Sequence, residues 1–84
     1  MDLFEASILA KEKISFYQPA YRFAYNNLKN VNGQCSYRDR TIYLSRHLTA
    51  LRTREAVEQT IMHEIAHSLT QGDGHGRLWQ AQMR

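Results

Sequence analysis

With 84 residues the chain has room for a single small domain, 1–84, whose core supports only marginal stability unless a bound metal or a partner contributes. A hydrophobic fraction of 43% and an aromatic content of 11% argue against disorder, no apolar run is long enough to cross a membrane, and the start from Met1 lacks the order of a secretion signal. The one cysteine, Cys35, excludes an internal disulfide and a cysteine-rich zinc finger, and the net charge of +3 permits an acidic partner without demanding one, so a cytoplasmic protein is expected.

The chain opens with Asp2-Leu3-Phe4-Glu5, where Asp2 can cap a helix and Glu5 can answer it three residues later. Leu3, Ala6, Ala10 and Ile14 follow at helical spacing and predict a packing helix without catalytic groups, ended by Pro19. Tyr21, Phe23 and Tyr25 then alternate with Arg22, Ala24 and Asn26 as a half-buried strand does. Sheet core accounts for that aromatic row better than a base-stacking platform. Asn32-Gly33 signals a turn before a short strand at 34–37, and Arg38-Asp39-Arg40 signals another before a strand at Thr41–Ser45, with Ile42 and Leu44 facing one way. His47, in the connection that follows, reads as a surface residue. Residues 48–52 suggest a short helix or turn, and Thr53 the cap of a longer helix. The elements add up to an α+β chain: an N-terminal helix, a small three-stranded antiparallel meander, then helices.

The chemistry is concentrated in Ile61-Met62-His63-Glu64-Ile65-Ala66-His67-Ser68-Leu69, a His-Glu-x-x-His pattern on a predicted helix. Residues four apart lie one turn apart on the same face, so His63 and His67 can both turn an imidazole toward one metal ion. At about 100° per residue, Val57, Ile61, Ile65, Ser68 and Leu69 share one sector, while Thr60, His63 and His67 lie on the other side. One face packs and one face coordinates. The pattern then breaks into Gly72-Asp73-Gly74-His75-Gly76, whose glycines let the chain fold back and bring His75 to the metal as a third ligand. Asp73, six residues after His67, is the rival for that position. His75 is favoured because the glycines flank it more closely. Three protein ligands and a water make a catalytic zinc site rather than a closed structural one.

Several pieces in order carry a family likeness: Gly33-Gln34-Cys35-Ser36-Tyr37, Ile42-Tyr43-Leu44-Ser45, the run from Val57 to His67, and Gly74-His75-Gly76 with Trp79. Across residues 19–79 the chain resembles the SprT-like (Spartan) zinc metallopeptidases. The resemblance implies an α+β zincin-like minimal domain in which His63, His67 and His75 bind zinc and Glu64 is the catalytic acid/base. It also implies protein or peptide substrates, in the best-known members proteins crosslinked to DNA, with DNA as an activator.

In such a site zinc brings the pKa of water toward about 7, and Glu64 would take the proton and later pass it to the leaving amine. A second oxyanion donor is expected, with Tyr43 and His47 as the candidates. The strand Thr41–Ser45 is the expected edge on which an extended substrate adds. Two rivals belong to other classes. A zinc-dependent three-histidine endoribonuclease would suit the basic charge but has no need of Glu64. A non-catalytic module with a zinc site would bind DNA or another protein.

Overall fold

Asp2 opens helix α1 (Leu3–Tyr17) by accepting a hydrogen bond from the Glu5 backbone N–H at 2.9 Å, which satisfies one of the N–H groups a helix start leaves without a partner. The structure is a computed structural model and describes residues 1–70. Ala6, Leu9, Ala10 and Ile14 of α1 are buried, three and four apart as a packing stripe requires, while Leu3 is half-buried at its margin. At the other end the Gln18 N–H closes onto the Ile14 carbonyl at 2.8 Å, and Pro19 follows.

Three strands come next: β1 (Arg22–Asn26), β2 (Gly33–Ser36) and β3 (Thr41–Ser45). Their order is β1-β3-β2, with β1 parallel and β2 antiparallel to β3. The sheet is therefore mixed, and the antiparallel meander expected from the sequence is corrected. The reason lies in residues 27–32. The Asn32-Gly33 signal does not close a tight hairpin between β1 and β2. Instead the chain passes over the C-terminal end of β3 and leaves the middle of the sheet for that strand.

Ser45 holds this crossing in place. Its N–H donates to the Asn32 carbonyl at 2.9 Å, and its hydroxyl donates to the Leu28 carbonyl. The same Oγ accepts from the Leu48 N–H at 3.0 Å and so caps α2 (Arg46–Leu51). The second expected turn is real: residues 37–40 join β2 to β3, with Ser36 Oγ accepting from the Asp39 N–H at 3.2 Å and Arg40 at φ 50°. A central position also explains why Thr41, Ile42, Leu44 and Ser45 are all buried in a strand whose sequence alternates.

The last element is α3 (Arg54–Leu69), capped by Thr53 as expected, its side chain accepting from the Ala56 N–H at 3.2 Å. Val57, Ile61, Ile65 and Ser68 are buried, whereas Leu69, assigned to the same sector, is exposed. Register pairs Phe23 and Cys35 with Ile42, and Tyr25 and Gly33 with Leu44, so these residues share the sheet face toward the helices. α1 packs on β1 and α3, and α3 lies over β2 and β3. The core between the layers is built from Ala6, Leu9, Ala10 and Ile14 of α1, Tyr21, Ile42 and Leu44 of the sheet region, and Val57, Ile61 and Ile65 of α3. Among the described residues no helix is long and apolar enough to cross a membrane.

Because Ser45 is wholly buried, Ser45→Ala leaves the Leu28 carbonyl and the Leu48 N–H without their partner. The variant is expected to lose about 1–3 kcal/mol of unfolding free energy in urea titration, with the m-value unchanged.

Candidate functional site

α3 carries His63, Glu64 and His67. The two histidines stand one turn apart with ring centroids 4.7 Å apart and planes at 76°, and their Nε2 atoms approach to 3.0 Å. Zinc bound to two imidazoles at about 2.0–2.1 Å in tetrahedral geometry needs those nitrogens about 3.3 Å apart. The pair thus fits a shared metal with a few tenths of an ångström of opening. Both rings are half-buried, so the packed side of α3 fixes them at the edge of the core. Among the described residues no third His, Cys, Asp or Glu joins them as a metal-holding group. His75 and its rival Asp73 lie outside the described residues.

Glu64 is placed differently from its neighbours. One residue beyond His63 turns the helix by about 100°, which takes the carboxylate off the coordinating side and toward β2. There the backbone of β2 comes unusually close. A Cβ built on Gly33 would stand 2.6 Å from Thr60 Cγ2, 3.2 Å from Glu64 Cγ and 3.3 Å from the Tyr43 carbonyl oxygen. Only glycine permits that approach without displacement. The consequence is that Glu64 is 8% exposed, and burial pushes its carboxyl from 4.5 up to about 7. Among the described residues no hydrogen-bond donor or cation is paired with it.

Glu64 and His67 open into one cavity of about 330 Å³, whose other walls are Gly33, Gln34, Cys35 and Tyr37. Burial, and then the nearby Glu64, raise the Cys35 thiol to about 11, so it is protonated at neutral pH and packs as a small apolar group. The cavity therefore presents one imidazole, one carboxyl poised near neutrality and one phenol.

Residues 4–84 match the SprT-like family over nearly the whole chain. The chain belongs to the SprT-like family. That family is associated with zinc metallopeptidase-like proteins, which agrees with a paired-histidine helix backed by a buried glutamate. No curated protein matches the chain.

Two secondary expectations for this SprT-like domain are corrected by the fold. Tyr43 pairs with Ala24 and Gln34 on the sheet face turned away from α3, where it lines a polar groove with Arg22, Arg38 and Asp39. It lines no part of the Glu64 cavity. β3, expected as a free edge, is the central strand, and the edge nearest the site is β2. His47 sits on α2, and it does not line the cavity either. Tyr37, by contrast, lines the cavity and was passed over. The signal was available in the alternation from Gly33 through Cys35, which continues to residue 37 on the same side.

The SprT-like domain carries two checks here. In metal-free protein the raised carboxyl means that the folded state holds a proton the unfolded chain has already lost, so stability falls as pH rises between about 4.5 and 7. Glu64→Gln removes this dependence: its melting temperature should match the wild type near pH 4 and exceed it at pH 8, read by thermal melts of both proteins in chelator. Gly33→Ala forces Thr60, Glu64 or the β2 backbone to move and should cost about 1–3 kcal/mol in denaturant titration.

Proposed function

We propose that this SprT-like domain is a zinc-dependent endopeptidase in which His63, His67 and His75 hold the metal and Glu64 is the general base and then the general acid. The observation that carries the reading is the joint placement of Glu64 and His67 on one cavity, with the His63 and His67 nitrogens converging beside it. Zinc held there would supply Lewis-acid chemistry, polarising a carbonyl and acidifying water.

The chain's own residues account for the rest. Glu64, a buried carboxyl on the cavity it shares with His67, can both accept a proton from water and return it to a leaving amine. Its position against the β2 backbone removes the side-chain freedom that would otherwise blur that geometry. β2 is an edge of the sheet among the described residues and borders the cavity through Gly33, Gln34 and Cys35. An extended protein segment can add along it as a further strand, read by its backbone more than by its side chains, so loose sequence preference follows. Proteins associated with DNA are the substrate class that the family likeness favours.

The test is cleavage of an unfolded protein by the purified, zinc-loaded chain beside Glu64→Gln. Wild type is expected to cut, with the variant slower by about 10²–10⁴-fold while retaining its zinc. Chelation should abolish cleavage and lower the melting temperature of the wild type. Parallel samples with single-stranded DNA read activation, and samples with RNA read the nuclease alternative. Intact protein substrate under every condition, with zinc bound, would overturn the proposal.

A further inference from the structure

A peptidase site needs a hydrogen-bond donor aimed where the carbonyl oxygen gains negative charge, and such donors contribute because they are already oriented when the charge develops. The walls of the Glu64 cavity restrict the choice of side-chain donor among the described residues. His67 is assigned to the metal, and Glu64 to the proton. Gly33 has no side chain. The Gln34 side chain lies on the far face of the sheet, where its Oε1 accepts from Asn26 Nδ2 at 3.4 Å. Cys35 offers only a weak S–H donor and is held among core residues.

Tyr37 remains. It is 38% exposed and lines the cavity with Glu64 and His67. Among the described residues its hydroxyl has no hydrogen-bond partner, whereas the Tyr25 hydroxyl is committed to the Leu3 carbonyl. Its backbone is well anchored. It is the first residue of the turn that joins β2 to β3, a turn tied by Ser36 Oγ to the Asp39 N–H and by the Arg40 carbonyl to the Arg22 N–H at 2.9 Å. It also stands just beyond Ser36, where the β2 edge ends, so a segment laid along that edge passes the phenol.

We propose that Tyr37 is a further catalytic residue of this site, its phenol O–H donating a hydrogen bond to the scissile carbonyl oxygen as that oxygen becomes an oxyanion. The proton stays on the phenol throughout, and no covalent bond is made or broken at Tyr37. The inference rests on the peptidase reading above.

The experiment compares zinc-loaded wild type, Tyr37→Phe and Glu64→Gln on one peptide cut by the wild type. The same proteins are titrated with a phosphinic peptide, which is tetrahedral and anionic, and the Glu64→Gln and Tyr37→Phe/Glu64→Gln proteins with the uncut peptide. Tyr37→Phe should lower kcat by about 10²–10³-fold with KM nearly unchanged, and weaken phosphinic-peptide binding by a comparable factor. Zinc content, melting temperature and affinity for the uncut peptide should stay at their reference values. If kcat holds within about threefold, or the loss appears in KM and in uncut-peptide affinity alike, Tyr37 has no such role. If the wild type cuts no peptide at all, the peptidase reading fails and takes this inference with it. Cutting by wild type and Tyr37→Phe alike removes only the inference.

Discussion

The close approach of β2 to α3 at Gly33 is the constraint on which the site depends. Without a side chain at that position the strand backbone lies directly on Thr60 and Glu64. Thr60 is held in turn, accepting from Arg52 at 2.7 Å and donating to the Ala56 carbonyl at 3.2 Å. One missing methyl group thus seals a carboxylate between a strand and a helix, raises its affinity for a proton, and brings the cavity walls of β2 opposite the histidines of α3. Local backbone chemistry, packing and acid–base behaviour are here consequences of a single contact.

A second device determines which strand supplies that contact. β3 occupies the middle of the sheet because the chain after β1 crosses its end and is fastened to Ser45. The arrangement leaves β2 as a border strand beside α3, and it places Ile42 and Leu44 where they meet Val57, Ile61 and Ile65. α3 is thereby pressed against the sheet along its apolar side, and the imidazoles on its flank inherit the rigidity of the core. The Lys13–Glu58 pair between α1 and α3, at 3.4 Å, is partly exposed to solvent and adds little by comparison.

Much of this was legible in the residues. The Asp2 and Thr53 caps, the α1 stripe, the inward pair Ile42 and Leu44, and the His63 and His67 face of α3 all follow from local chemistry and periodicity, which the sequence carries directly. Strand order did not follow, because Asn32-Gly33 specifies a local bend but not the path of the six residues before Gly33. The mistaken edge strand and the choice of Tyr43 both came from that. The burial of Glu64 was also hidden, since a helical wheel shows which side a residue occupies but not how near the opposing backbone comes. Leu69 departs from its sector because α3 ends there, with the Thr70 N–H turning back onto the His67 carbonyl at 3.2 Å. His75, proposed as the third metal ligand, and its rival Asp73 lie outside the described residues.

The 3.0 Å contact between His63 and His67 bears on how a metal would enter. Between two neutral rings such a contact needs one Nε2 to carry hydrogen and the other to accept it, yet coordination needs a lone pair on both. A metal held by both rings would therefore require each ring to carry its hydrogen on Nδ1. The helix has already brought the two nitrogens within a few tenths of an ångström of the separation a shared ion needs, so the fold itself has met much of the ordering that coordination would demand.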